Sequence, residues 1–195
     1  MEKDAVTLKD VQEAAQRLAS VVHKTPLESN HTFSTIAGHE VLLKLENMQR
    51  TGSFKVRGAS NCIQTLSPEK KACGVITASA GNHAQGVALG ASKAGIKSTI
   101  VMPEGAPLAK IEATKGYGAE VVLAGSVYDE AYAEALRIQQ ETGATFVHAY
   151  DNPAVIAGQG TIGLEILEQC PDIKAIVVPV GGGGLLAGVA VAVKA

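Results

Sequence analysis

The sequence has few aromatic residues and no large excess of charge of either sign. Aromatic residues make up 4% of its 195 residues, and 17 basic side chains against 19 acidic ones leave a formal net charge of −2. This near-neutral balance lacks the basic surface that nucleic acids or anionic membranes require, so we expect neither partner. The hydrophobic fraction of 46% excludes a disordered chain.

Long apolar runs and paired cysteines are also missing. No run approaches the ~20 apolar residues that span a bilayer, and the charged Met1–Asp4 does not resemble the start of a secretion signal. The three cysteines, Cys62, Cys73 and Cys170, are odd in number and far apart. We therefore expect free thiols in a reducing compartment, the cytoplasm.

What the sequence has is glycine, at 21 residues, and a repeated alternation of strand and helix patterns. This alternation predicts an α/β fold with a mainly parallel sheet and helices on both faces. The predicted helices cover about 8–22, 55–66, 83–94, 109–117, 126–141, 152–169 and 185–195. The predicted strands cover about 40–46, 74–77, 98–102, 120–123, 145–149 and 173–180. Ligands of such folds bind where strands end, so the loops that follow them matter most.

A polyglycine loop, Gly181, Gly182, Gly183 and Gly184, follows the last predicted strand and precedes a helix. Backbone N–H groups without neighbouring side chains, at the positive end of a helix, form a phosphate site. The loop is not a Walker motif, because no Lys-Ser or Lys-Thr follows it, and it does not match G-x-G-x-x-G. The alternative is a closely packed turn without a ligand.

Two further loops are candidates for chemistry. Lys55 follows the turn Gly52-Ser53 at a predicted helix start, where desolvation would leave its amine neutral and nucleophilic; the alternative is an exposed lysine. The segment 79–86 follows a predicted strand, and its free N–H groups suit a carboxylate. Ordinary capping by Ser79 or Asn82 is the alternative there.

Other site classes find little support. The five histidines show no paired ligand spacing, so we expect no metal site. No G-x-S-x-G motif is present. The sequence ends before the acidic residue that a nicotinamide-dinucleotide site needs, so that alternative cannot be completed.

In their order, the segments 53–58, 79–86 and 181–185 resemble those of pyridoxal-phosphate enzymes of the tryptophan-synthase-β type. Segments 46–55 and 152–165 are similar to the threonine and serine dehydratases, above all the biodegradative threonine dehydratases. The resemblance covers essentially the whole chain. It implies a three-layer αβα fold of two domains, a smaller one at 54–146 and a larger one at 1–53 and 147–195 whose C-terminal part is absent.

The resemblance also implies roles for individual residues. Lys55 would form the Schiff base with pyridoxal 5′-phosphate and shuttle the α-proton, Phe54 would pack near the ring, and Asn82 would bind its 3′-oxygen. The phosphate would be bound by Gly181, Gly182, Gly183, Gly184 and Leu185. The substrate carboxylate would be bound by Ser79, Ala80, Gly81, Asn82 and His83.

The implied activity is elimination of water from L-threonine, and from L-serine, to give a 2-oxo acid and ammonia. Serine racemases resemble this chain, but carry a second serine where this sequence has Ala80. Since racemisation needs an acid on each face of the carbanion, we expect elimination instead. The alternatives are a serine dehydratase or racemase, and a fragment that binds the cofactor or subunits without turnover.

The family further implies a homo-oligomer, a dimer or tetramer, and in some members an adenine-nucleotide effector such as AMP. The residues that match its site are Arg50, Thr51, Gln85 and Tyr117.

Overall fold

The structure, a computed structural model, describes residues 5–195. Residues 1–4, on which the expectation about secretion depends, lie outside the described residues. The helices are α1 Leu8–Leu18, α2 His31–Ala37, α3 Lys55–Gln64, α4 Pro68–Cys73, α5 Asn82–Lys93, α6 Leu108–Gly116, α7 Tyr128–Thr142, α8 Pro153–Gln169 and α9 Gly184–Lys194. The strands are β1 Leu27–Ser29, β2 Leu42–Lys44, β3 Val75–Ala78, β4 Ser98–Met102, β5 Glu120–Leu123 and β6 Thr145–Phe146, and a 3-10 turn spans Glu46–Met48.

Four parallel strands form the central sheet, in the order β5-β4-β3-β6. Side chains alternate between its two faces, as the pleat requires. Val75 and Ile100 pack in one core with residues of α3 and α5, whereas Ile76 and Val101 pack on the other face with Ala131 of α7. The predicted α/β fold with helices on both faces of a parallel sheet is therefore confirmed.

The direction of strand addition reverses between β3 and β6. From β3 the chain adds β4 and β5 on one side, and α7 then returns it to place β6 on the other side of β3. At such a reversal the carboxyl ends of two neighbouring strands diverge and leave room for a ligand. The segments that leave this edge are 79–81, after β3, and 147–152, after β6.

Helices α1, α3, α8 and α9 stack closely beside the sheet, and glycine allows their close approach. A Cβ added to Gly160 of α8 would lie 2.8 Å from the Gly188 carbonyl oxygen of α9. One added to Gly163 would lie 2.8 Å from Cβ of Ala192. Part of the glycine content thus reflects helix packing and not ligand binding.

One predicted strand is wrong. Residues 173–180 form no strand, and within the described part of the chain nothing pairs with them. Ile176 and Val178 pack partly against α8 and α9, whereas Val177 is 96% exposed. An apolar run can supply the side chains of a strand, but the strand itself needs a neighbour for its hydrogen bonds.

Several short elements were not predicted, and one cap was misplaced. Helix α2 has Asn30 as its N-cap, and α4 has Ser67 as its N-cap with a proline at its start, both ordinary start signals. Strand β2 lies within the strand predicted at 40–46, but its antiparallel partner β1, of three residues, was not predicted. Helix α7 begins after Val127, not Ser126, whose N–H and hydroxyl instead donate to Glu130.

Candidate active site

A cavity of about 370 Å³ brings Lys55 and the polyglycine loop together, although they lie far apart in the sequence. Its lining comes from the start of α3, the segment after β6, helix α8 and the loop before α9. The residues are Phe54, Lys55, Ala149, Tyr150, Gln159, Pro179, Val180, Gly181, Gly182, Gly183, Gly184 and Leu185.

Lys55 is the first residue of α3 and is partly buried. Its Nζ donates a hydrogen bond to the carbonyl oxygen of Ala149 at 2.8 Å and lies 5.3 Å from the centroid of the Phe54 ring. Burial lowers the pKa of the Lys55 amine below its ordinary value. At a given pH, a larger fraction of this amine is therefore neutral than for an exposed lysine, and the neutral form is the one that attacks carbonyl groups.

A cluster of four charged side chains, of which Arg57 is fully buried and the others largely so, holds the start of α3 in place. The Arg57 side chain is fully buried and makes two hydrogen bonds to each of two carboxylates, those of Glu46 and Glu165, at 2.7–3.0 Å. Lys44 lies 2.6 Å from Glu165. Burial disfavours the charge of Arg57, but the hydrogen bonds that it donates to Glu46 and Glu165 prevail and raise its pKa. Two positive and two negative charges balance within the cluster.

Sequence reasoning assigned no role to this cluster. Glu165 is the first of two carboxylates on the mostly apolar helix α8, and Arg57 follows Lys55 by two residues among mostly small residues. A charge inside an apolar helix is the signal that could have identified both, because such a residue is almost never fully buried without a partner.

Helices α3 and α8 also touch through their backbones. A Cβ added to Gly158 would lie 2.7 Å from the carbonyl oxygen of Arg57. The side-chain oxygen of Gln159 accepts a hydrogen bond from the Gly58 N–H at 3.2 Å. The first N–H groups of a helix have no partner within it, and Phe54 provides no side-chain cap, so a residue of α8 supplies one.

The polyglycine loop leads directly into α9. Gly183 is the N-cap with φ of +84°, a left-handed conformation that favours glycine, and it makes no side-chain cap. The N–H groups of the first turn of α9 are thus left without a side-chain acceptor. Together with the positive end of the helix, they can bind an anion.

Helix α5, which follows the segment after β3, packs on the start of α3, but neither the helix nor the segment lines the cavity of Lys55. Gly81 is the N-cap of α5, without a side-chain cap, so the prediction that Ser79 or Asn82 caps this helix is wrong. The Ser79 hydroxyl instead accepts from the Gly81 N–H at 3.2 Å. A Cβ on Gly86 would lie 3.0 Å from the backbone of Lys55, and Asn82 shares that face of α5 one turn earlier.

His83 is buried and neutral. Its Nε2 lies 2.8 Å from the carbonyl oxygen of Val147, so this nitrogen must carry the proton and donate it. Burial, aided by Lys55 and His148 and opposed by the hydrogen bond to Val147, lowers the pKa of His83 to about 4. Its Nδ1 is buried without a partner. His83 thus ties α5 to the segment after β6.

The residues predicted for a nucleotide effector are only partly brought together. The Tyr117 hydroxyl donates to the carbonyl oxygen of Arg50 at 3.1 Å, so these two residues are neighbours. Thr51 is buried, and Gln85 is half-buried on α5. Among residues 5–195 no cluster of three or more His, Cys, Asp or Glu could hold a metal ion, and no helix is both long and apolar enough to cross a membrane.

The chain is similar to known proteins over nearly its whole length. The family model described as "Pyridoxal-phosphate dependent enzyme" matches residues 18–195. An L-threonine ammonia-lyase of Thermotoga maritima is 58% identical over 97% of this chain and 47% of its own length. The catabolic L-threonine dehydratase TdcB of Escherichia coli is 50% identical over 97% of this chain and 57% of its own length. The chain thus spans about half the length of the curated relatives it matches.

Solved structures agree in fold. Serine racemase from maize superposes with a TM-score of 0.94 at 42% identity, over 97% of this chain and 58% of that one. Processed threonine deaminase isoform 2 from Solanum lycopersicum gives 0.92 at 45% identity, over 96% of this chain and 51% of that one.

We predict that Lys55 combines with pyridoxal 5′-phosphate at a lower pH than an exposed lysine does. A lowered amine pKa leaves a larger neutral fraction at each pH, and the neutral amine is the nucleophile. The measurement is the absorbance of the bound aldehyde as pH is raised, with the signal of Lys55→Ala subtracted. The midpoint should fall below that of a lysine in an unstructured peptide. A midpoint at or above the peptide value would contradict the burial argument.

Proposed function

The chain belongs to the family of pyridoxal-phosphate dependent enzymes, and we propose that the protein built on it is a threonine ammonia-lyase. It would convert L-threonine, and L-serine less readily, to a 2-oxo acid and ammonia. The observation that supports this most is the cavity that Lys55, whose amine pKa is lowered by burial, shares with the polyglycine loop. The substrate is inferred from the relatives named L-threonine ammonia-lyase.

The residues of the cavity fit the cofactor. The N–H groups at Gly181–Gly184 and Leu185 suit a phosphate, Lys55 suits an aldehyde, and Phe54 offers an aromatic face beside that amine. Bound there, the cofactor would supply a carbonyl group and a ring that accepts electron density from Cα of an amino acid. We propose that Asn82 binds the ring 3′-oxygen, since it shares the α5 face that packs on Lys55.

The protein residues would then have three tasks. The uncapped start of α5, with Ser79, Ala80, Gly81, Asn82 and His83, would bind the substrate carboxylate. Lys55 Nζ would take the proton from Cα, after which hydroxide leaves Cβ. The resulting enamine takes up water and releases ammonia, which leaves 2-oxobutyrate from threonine. His83 would orient the segment through Val147 without exchanging protons, because its pKa of about 4 keeps it neutral.

The proposal predicts that Lys55→Ala lowers the rate of 2-oxobutyrate release by at least about a thousandfold. The enzyme should be expressed from the full reading frame that carries this chain, and the keto acid should be measured with L-threonine as substrate. Lys9→Ala is the matched control, since the Lys9 side chain is 83% exposed on α1. Full activity in Lys55→Ala would exclude this mechanism.

A racemase is the nearest alternative, because two of the similar solved structures are serine racemases. Racemisation requires a proton donor on the face of the carbanion opposite Lys55. Ala80 has no ionisable group. We therefore predict that, with L-serine as substrate, pyruvate forms faster than D-serine does. Chiral chromatography of the same reaction mixture measures both products, and D-serine at a rate equal to that of pyruvate would favour the racemase.

The second alternative is a chain that binds without turnover. It is favoured by the fact that the chain spans about half the length of its curated relatives. The 195 residues expressed alone would then bind pyridoxal 5′-phosphate, seen as a change in its absorbance, and release no keto acid.

We also propose that 54–146 forms the smaller domain and that 1–53 and 147–195 belong to the larger one. The complete sheet lies within 54–146 and supports this division.

We propose, finally, a cytoplasmic homo-oligomer, a dimer or tetramer, that binds AMP or a similar nucleotide near Arg50, Thr51, Gln85 and Tyr117. The free state of all three cysteines supports the compartment. The contact between Tyr117 and Arg50 supports the nucleotide site. A shift of the unfolding midpoint on addition of AMP, lost in Tyr117→Ala, is the expected result, and no shift in either protein would contradict it.

A further inference from the structure

We infer that Tyr150 is a positioning residue that sets the shape of the polyglycine loop and its place relative to Lys55. Tyr150 and Ala149 lie between these two parts of the cavity and contact both. The inference rests on the proposed binding of a phosphate by the loop, and not on turnover of threonine.

The segment that carries Tyr150 is fixed at both ends. At its start, the Val147 N–H donates to Ile76 of β3 at 2.9 Å, and the Val147 carbonyl accepts from Thr77 at 3.0 Å and from His83 at 2.8 Å. At its end, the Asn152 side chain accepts from two N–H groups of the first turn of α8, at 2.9 and 3.1 Å. The intervening residues are therefore held between the sheet and α8.

From this fixed segment, adjacent residues reach the two functional groups. The carbonyl oxygen of Ala149 accepts the hydrogen bond from Lys55 Nζ at 2.8 Å. The Tyr150 ring packs on Gly182, where an added Cβ would lie 2.5 Å from Cδ1 and Cδ2 of the ring. The Tyr150 carbonyl packs on Gly184, where an added Cβ would lie 2.6 Å from its oxygen. One dipeptide thus fixes the amine and the loop relative to each other.

The glycines of the loop are required for different reasons. Gly183 has φ of +84°, so its requirement is conformational, and no change in a neighbour removes it. Gly182 has no positive φ, so its requirement comes from the space that the Tyr150 ring occupies. Shortening Tyr150 should therefore make a side chain tolerable at 182, whereas the backbone conformation would still disfavour one at 183.

The test is a double-mutant cycle of Gly182→Ala and Tyr150→Ala in the protein expressed from the full reading frame. The dissociation constants for pyridoxal 5′-phosphate and for pyridoxal, which lacks the phosphate, are measured in each variant. The unfolding midpoint of each cofactor-free variant is measured as well. Gly116→Ala, where an added Cβ meets nothing within 4 Å, is the control for a glycine-to-alanine change.

We expect Gly182→Ala to weaken binding of pyridoxal 5′-phosphate about tenfold, and the same change in a Tyr150→Ala background to weaken it by less than about threefold. Binding of pyridoxal should change little in either case. Gly183→Ala should stay impaired in both backgrounds. In a Tyr150→Phe background, which keeps the ring, Gly182→Ala should weaken binding of pyridoxal 5′-phosphate as much as it does in the unaltered protein.

An equal loss on Gly182→Ala in both backgrounds would overturn the inference. If the unaltered protein does not bind pyridoxal 5′-phosphate at all, the proposed function fails instead. The unfolding midpoints of the cofactor-free variants then decide the inference separately. Coupled midpoints for Gly182→Ala and Tyr150→Ala would support the contact, and additive midpoints would refute it.

Discussion

The buried ion pairs of Arg57 with Glu46 and Glu165 are the interaction on which the rest of the site depends. They join the first turn of α3, which carries Lys55, to α8 and to the turn after β2. A buried charge such as that of Arg57 is expensive unless it is paired, and removing one partner of a buried pair typically costs about 3–5 kcal/mol. Because Lys44 completes a balanced set, the cluster can hold the helix without leaving a net charge two residues from the Lys55 amine.

The environment of Lys55 is consistent with this balance. Burial alone accounts for the lowered pKa of its amine. The charges that fix the backbone and the desolvation that tunes the amine are therefore separate devices. Glycine at 58, 86 and 158 completes the arrangement, because each lets a neighbouring backbone or side chain approach the start of α3 more closely than a Cβ would permit.

Much of this could be predicted from the sequence, and the misses have physical reasons. The strands 98–102 and 120–123 were predicted at the right residues, because short apolar runs between turn residues are local signals. Residues 173–180 carry the same signal but form no strand, since a strand also depends on a partner that local sequence does not reveal. Lys55 and the polyglycine loop could be identified as candidate site residues, because the types of residue and the order of the segments are visible in the sequence.

Other parts of the site depend on contacts that sequence does not display. The Ala149 carbonyl near Lys55 is a backbone group, invisible in any motif. Nothing in the sequence around Tyr150 indicates a role, because the contact of its ring with Gly182 arises only in the fold. The predicted cap at Ser79 or Asn82 was wrong because glycine at 81 takes that position, and the helix start is left open. The pairing of Arg57 with Glu165 joins residues far apart in the chain, and only the packing of α3 on α8 creates it.

The central claim is that the amine of Lys55 is the group that bonds to the aldehyde of pyridoxal 5′-phosphate. The most direct measurement is to mix the protein with that compound, reduce with borohydride, digest it and locate the added mass by mass spectrometry. The account predicts a single modified peptide that contains Lys55, formed before any modification of exposed lysines such as Lys9 and Lys97. Modification confined to those exposed lysines, with Lys55 unchanged in a folded protein, would contradict it.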